Sequence, residues 1–336
     1  MHARDVDAPN TNAVGSGGRV VVTGRIPDAG LVVLRAAGHR VDVWEGSGPI
    51  ERQDLLRLVA GADALVTLLT ERVDAELLDA AGPQLRVVAN VAVGYNNLDV
   101  SACSARGIVA ANTPGVLTDA TADIAMALIL MTTRRLAEAE RLVRSGEAWQ
   151  WGMFMMLGSG IQGRRLGVVG MGQIGVALAR RARAFGMTVS YNNRRRIDSA
   201  LEREFDAQFL PFDELLATSD VVSLHCPYGA ATHYLIDDAE LRTMPASAYL
   251  INTARGPVIH EAALVAALER GEIAGAGLDV YEEEPAIHPG LLHRDDVVLL
   301  PHLGSATQET RAAMASLAAR NAVAVLAGHL PLTPLN

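Results

Sequence analysis

Apolar runs a few residues long alternate along this chain with stretches in which apolar positions return every third or fourth residue. From Arg19 onward, Val20–Val22, Val41–Trp44, Ala64–Leu69, Leu85–Ala89 and Ile108–Ala111 predict strands. Between them Ala29–Ala37, Ile50–Ala60, Asp74–Ala80 and Val100–Arg106 predict helices, with Gly38 and Gly107 as stops. Strands alternating with helices of this length imply a parallel, doubly wound sheet.

At Asn112-Thr113-Pro114-Gly115 the alternation breaks. The pattern predicts one long helix over Thr118–Arg144, then an irregular segment, Ser145–Gly163, holding Trp149, Trp151, Phe154 and several methionines. Apolar residues in a glycine-rich loop predict burial against something else, such as another subunit. A second series follows. Its predicted strands are Leu166–Val169, Val189–Asn192, Val221–His225, Ala248–Asn252, Ala276–Val280 and Val297–Leu300. Its helices are Ile174–Ala184, Phe212–Ala217, Ala239–Arg242 and Glu261–Glu269, and a last helix covers Thr307–Ala327. Two α/β domains follow, with the cleft between them as the default site. Met1–Gly18 is polar and predicts a disordered tail.

A length of 336 residues fits two domains with ample core. The net charge of -9 argues against nucleic acid or an acidic membrane as partner. The longest apolar run, Ala122–Met131, is too short for a membrane span and contains Asp123. Two cysteines far apart, Cys103 and Cys226, give no metal or disulfide framework and suit a reducing cytoplasm. No pattern of metal ligands stands out, and His225 beside Cys226 lacks a second pair.

The first site signal is Gly170-x-Gly172-x-x-Gly175, between a predicted strand and a predicted helix. In that context the first glycine permits the turn, the second lets backbone approach a pyrophosphate, and the third allows close helix–strand packing. Gln173 and Ile174 then stand at a helix N-terminus, where free N–H groups and partial positive charge suit phosphates. An NAD-binding unit carries a carboxylate at the end of the second strand. Here that strand ends in Asn192-Asn193-Arg194-Arg195-Arg196. Amides and guanidiniums accept a 2′-phosphate that a carboxylate would repel, so NADPH is the expected cofactor, with NADH as the lesser possibility.

Three later segments resemble signatures of the D-isomer-specific 2-hydroxyacid dehydrogenases: Ile251-Asn252-Thr253-Ala254-Arg255-Gly256, Gly277 to Pro285, and Pro301 to Thr307. Val91 to Asp99 and Leu117 to Asp123 are similar to further family motifs. The likeness covers about Arg19 to Asn336 and is greatest to the glyoxylate/hydroxypyruvate reductases of that family. It implies a reductase of small 2-keto acids to D-2-hydroxy acids, by hydride transfer.

The same resemblance implies the roles. His302 would give the proton, a task suited to a side chain that ordinarily titrates near neutral pH. Glu284 would pair with it and fix its tautomer. Arg255 would grip the substrate carboxylate and polarise the carbonyl. Leu69 and the backbone N–H groups of Val93 and Gly94 would complete the substrate site. Asp279 would orient the nicotinamide amide, and Thr118, Cys226, Pro227, Thr253, Ala254 and Gly304 would line the cofactor. The family implies two doubly wound domains, a Rossmann cofactor domain (112–303) inserted into a discontinuous flavodoxin-like substrate domain (19–111 and 304–336), with hinge closure excluding water. It also implies a homodimer in which Trp151 reaches the partner's site, although Gly158-Ser159-Gly160 departs from the bulkier sequence usual there. Two alternatives stay open at this stage: another D-2-hydroxyacid dehydrogenase using NAD, and a non-catalytic dinucleotide-sensing corepressor on the same scaffold.

Overall fold

The computed structural model describes residues 17–336, so all but the last two positions of the expected tail lie outside the described residues. The chain runs β1 (Arg19–Val22), α1 (Asp28–Ala36), β2 (Arg40–Val43), α2 (Arg52–Val59), β3 (Ala64–Thr67), α3 (Ala75–Ala81), β4 (Val87–Asn90), α4 (Val100–Ala105) and β5 (Val109–Ala111). It continues with α5 (Thr118–Thr133), α6 (Leu136–Ser145), β6 (Arg165–Val169), α7 (Gln173–Ala184), β7 (Thr188–Asn192), α8 (Ser199–Phe205), β8 (Gln208–Phe209), α9 (Phe212–Thr218) and β9 (Val221–Leu224). Last come α10 (Asp238–Thr243), β10 (Tyr249–Asn252), α11 (Glu261–Arg270), β11 (Gly275–Leu278), β12 (Val297–Leu299) and α12 (Gln308–Leu326).

Two compact units result: the chain up to Thr113 together with Ala312–Asn336, and Pro114–Arg311. The first is a five-stranded parallel sheet in the order β2-β1-β3-β4-β5, the flavodoxin-like order. Its central strands are apolar on both faces. Val20, Val22, Val66 and Val87 pack with Leu31 and Leu34 of α1 and with Ala318, Ala319 and Ala322 of α12. Val21, Leu65 and Val88 face Leu55, Leu77 and Leu78. The small residues of α12 allow close approach, and a Cβ on Gly30 would meet the Ala315 carbonyl oxygen at 2.8 Å.

The second unit is a seven-stranded parallel sheet ordered β12-β11-β10-β9-β6-β7-β8. The chain order reverses between β6 and β9, which pair directly. That reversal opens a crevice at the C-terminal strand ends, where ligands bind in sheets of this kind. Helix α5 is apolar nearly all round because it packs into this core through Ala122, Ala125, Leu128 and Ile129. Both sheets agree with the expected fold class.

Two differences from the sequence expectation have local causes. The helix expected over Thr118–Arg144 is two helices, broken at Arg134–Arg135. The Thr133 carbonyl accepts the Ser159 N–H at 2.7 Å instead of a bond from the next helical turn, and Arg135 takes left-handed backbone at φ +55°. Thr132 and Thr133 turn their hydroxyls back onto the carbonyls of Leu128 and Ile129, both at 2.7 Å, which favours such a break. Helix α8 and strand β8 are the other addition. Asp198 caps α8 by accepting the Ala200 N–H at 2.7 Å.

Candidate active site

Strand β6 is followed by Gly170, where φ is +94° and a Cβ would stand 2.5 Å from the nitrogen of Cys226, just past β9. Only glycine lets these strand ends meet. At Gly175 a Cβ would lie 2.8 Å from the Gly170 oxygen, so α7 sits directly on the turn. At Gly172 it would meet nothing within 4 Å, which leaves open space in front of the helix end. No side chain caps α7, so the first-turn amides of Gln173 and Ile174 face that space. Nearby on the strand ends the Thr253 hydroxyl and His225 Nδ1 are buried without a hydrogen-bond partner among the described residues. An open glycine cradle, uncapped helix amides and two unpartnered polar atoms fit a bound dinucleotide.

The segment after β7 divides by role. Asn193 accepts the Met171 N–H at 2.7 Å, and Asn192 donates to the Leu210 carbonyl at 2.8 Å. Both amides therefore shape the turn itself. Arg194 and Arg195 are exposed and make no ion pair among the described residues, whereas Arg196 pairs with Glu202 at 3.0 Å. Cys226 is buried beside Gly170 and Pro227 is exposed. Thr118 is the first residue of α5, which is tied to the end of the second unit by a bond from the Thr121 hydroxyl to the Gly304 carbonyl at 2.9 Å.

The charged group gathers at the ends of β10, β11 and β12. His302 Nδ1 lies 2.7 Å from Glu284 Oε2. Glu284 Oε1 accepts the Tyr281 N–H at 3.0 Å, so both its oxygens are oriented. Burial pushes the Glu284 carboxyl up, but the His302 hydrogen bond and charge, with help from Arg255, hold it below its ordinary value. Arg255 follows β10, is partly buried and donates Nη1 to the Ala254 carbonyl at 2.6 Å. Burial lowers its pKa and the Glu284 charge opposes that. His302 itself stands at φ +55°, a conformation costly for a side chain with a Cβ and held only when its surroundings impose it.

Asp279, buried at the end of β11, imposes it. One carboxylate oxygen accepts the Leu303 N–H at 2.6 Å and the other the Gly304 N–H at 2.8 Å. Burial raises this carboxyl, while those two bonds and the His302 charge pull it down. The loop bearing Glu284 is braced as well. Buried Glu261 accepts the N–H groups of Glu282 (2.8 Å) and His288 (3.3 Å), and Glu282 accepts the Glu261 N–H (2.9 Å) and the Tyr234 hydroxyl. Finally, a Cβ on Gly256 would overlap the Tyr281 carbonyl, so the backbone after Arg255 lies directly on the backbone leading to Glu284. These braces escaped the sequence reading, although glycine directly after Arg255 is a signal of close backbone approach.

In the first unit Leu69 follows β3, and Val93 and Gly94 follow β4. Asn112 donates to the Val93 carbonyl at 2.7 Å and Asn90 to the Gly94 carbonyl at 3.1 Å, which orients the Val93–Gly94 and Gly94–Tyr95 peptide planes. Behind them Thr67, Asn90 and Asn97 bond one another, and Asn97 also holds the Leu68 and Glu71 carbonyls. The run Asn90…Asn96-Asn97 was the available sequence signal for this network. Trp151 (78% exposed) and Phe154 (87%) stand on the surface of the second unit with Leu136, Val143, Met153 and Leu157. Asp123 pairs with Arg181 of α7 at 2.6 Å. Among the described residues no helix could cross a membrane and no cluster could hold a metal ion.

Residues 126–304 match the family described as D-isomer specific 2-hydroxyacid dehydrogenase, NAD binding domain. This chain belongs to the D-isomer specific 2-hydroxyacid dehydrogenases and is an NAD(P)-dependent oxidoreductase. It is 49% identical to a glyoxylate reductase of Thermococcus onnurineus, over 95% of this chain and 96% of that one. Among solved structures it is similar to a glyoxylate reductase from Paecilomyes thermophila, with a TM-score of 0.85, 36% identity, and 95% and 98% coverage. It is also similar to an NADPH-dependent glyoxylate/hydroxypyruvate reductase from Sinorhizobium meliloti, solved with NADP and malonate, with a TM-score of 0.83, 35% identity, and 95% and 97% coverage.

Proposed function

We propose that the chain is an NADPH-preferring reductase that converts glyoxylate, hydroxypyruvate and similar small 2-keto acids to D-2-hydroxy acids. The observation that carries this is the Glu284–His302 pair at 2.7 Å, held on a strained turn in the same unit as Arg255. The cofactor, when bound, supplies the hydride. His302 keeps Nδ1 on Glu284, which leaves Nε2 as the edge that gives a proton to the oxygen of the developing alkoxide. Arg255 binds the substrate carboxylate and polarises the carbonyl. In the first unit the N–H groups of Val93 and Gly94 are the donors offered to a substrate carboxylate, and Leu69 limits the side chain. The first unit is thus the substrate domain and the second the cofactor domain.

Gly170 to Gly175 cradle the pyrophosphate. Cys226, Pro227, Thr253, Ala254, Thr118 and Gly304 flank the dinucleotide, and Asp279 meets the nicotinamide amide. Arg194 and Arg195, exposed and without an ion pair among the described residues, support the 2′-phosphate preference, as does the named cofactor of the Sinorhizobium meliloti relative. The exposed apolar surface of Leu136, Val143, Trp149, Trp151, Met153, Phe154 and Leu157 supports a homodimer, with Trp151 entering the site of the second copy. Two buried free thiols support a reducing cytoplasm. A panel of 2-keto acids assayed with NADPH and NADH tests the proposal. Glyoxylate and hydroxypyruvate are expected to turn over, faster with NADPH. No turnover of any keto acid would overturn the enzymatic reading, and equal rates with both cofactors would overturn the preference.

A further inference from the structure

Three arginines stand in a row after β7, and the structure uses them differently. Tyr191, on β7, is fully buried, and its hydroxyl does two things. It accepts the Ile197 N–H at 3.1 Å and donates to Glu202 of α8 at 2.5 Å. Glu202 also receives Arg196 through Nε at 3.0 Å and Nη2 at 3.2 Å. The Arg196 guanidinium lies 5.5 Å from the centre of the Phe209 ring, and Phe209 meets Tyr191 edge to face at 5.4 Å. At the other end of the turn Asn193 is fastened to Met171. The segment is therefore closed at both ends, with only Arg194 and Arg195 projecting between the fastenings. The Glu202 carboxylate near this basic turn is neutralised by Arg196.

We infer that Tyr191, Glu202 and Arg196 form a staple that presents Arg194 and Arg195 to the 2′-phosphate, so that Arg196 positions the turn and does not read the phosphate. This rests on the NADPH preference proposed above and adds which residues create it. Tyr191, Glu202 and Arg196 are positioning residues. Fixing the backbone that carries both arginines spares the binding step the entropy of ordering that turn.

The test is calorimetric titration of the intact protein with adenosine 2′,5′-bisphosphate and with 5′-AMP, which differ in the 2′-phosphate alone. The readout is the ratio of the two affinities. Wild type is expected to bind the bisphosphate more tightly. A wild-type ratio near one would mean that the NADPH preference itself is wrong, and the staple's purpose falls with it. Given a discriminating wild type, Tyr191→Phe is expected to lower the ratio by roughly tenfold while leaving 5′-AMP binding unchanged. The double variant Arg196→Gln/Glu202→Gln opens the staple without altering net charge and serves even if Tyr191→Phe does not fold. It should lower the ratio to a similar extent. A ratio kept at the wild-type value, or equal weakening of both nucleotides, would overturn the positioning role and leave the NADPH preference standing.

Discussion

The two units share one construction, a parallel sheet of short apolar strands with helices on both faces, yet their strand ends are opposite in character. In the first, the ends of β1, β3 and β4 close over a polar network in which the side chains satisfy one another. Glu71 accepts the Thr23 hydroxyl at 2.6 Å and the Leu68 N–H at 2.7 Å, and Thr67, Asn90 and Asn97 complete the set. In the second, the strand ends carry glycine, a charged trio and the buried Thr253 Oγ1 and His225 Nδ1, which have no hydrogen-bond partner among the described residues. The same layers thus support either a braced polar network or an open, charged surface. The fold decides where a site lies, and the residues at the strand ends decide what it does.

Breaking each side tests this contrast. The largest effect is expected at His302. His302→Ala should cut kcat for keto-acid reduction by about 10²- to 10⁴-fold while adenosine 2′,5′-bisphosphate binding stays unchanged. An unaltered kcat would remove it as proton donor. Next is the platform. Asn90→Ala strands the Gly94 carbonyl and the Thr67 hydroxyl and should cost about 3 kcal/mol in urea unfolding, together with a higher KM for the keto acid. A loss of stability with KM unchanged would separate the network from substrate binding.

The buried imidazole of His225 gives a pH-dependent comparison. Burial lowers its pKa from 6.5 to about 4, so the folded chain keeps it neutral while the unfolded chain protonates it first. Stability from this group is complete above pH 6.5 and falls as the pH drops towards about 4. The loss is up to about 3 kcal/mol. His225→Gln should flatten that part of the stability profile, and an identical slope in the variant would exclude His225 as its source. The smallest effect on folding is expected at Trp151. Trp151→Ala, at an exposed position, should change chain stability by less than about 0.5 kcal/mol yet weaken self-association in sedimentation. Unchanged sedimentation would remove Trp151 from the dimer contact.

What the sequence disclosed follows from range. The buried strands were legible because Val20–Val22 or Leu166–Val169 are apolar whatever their neighbours, and the glycine turn because its spacing is local. The pairing of Glu284 with His302 was legible through short motifs. The break at Arg134–Arg135 was not, because the residue that takes the Thr133 carbonyl, Ser159, is distant in sequence. Helix α8 was hidden for a related reason. Its Glu202 is held by Tyr191 and Arg196 from the preceding strand and turn, and the helix buries only Phe205. Nor did the motif Gly-Leu-Asp-Val reveal that each oxygen of Asp279 accepts an amide N–H after His302.

Gly256 has a consequence for how this protein can change over time. With no side chain between it and the Tyr281–Glu282 backbone, the spacing of Arg255 from the Glu284 loop is set by main chain against main chain. Lineages can therefore vary other residues of this region while the spacing of Arg255 from the Glu284 loop is inherited intact. A library randomised over this region should return glycine at 256 in every active clone, whatever substrate is selected for.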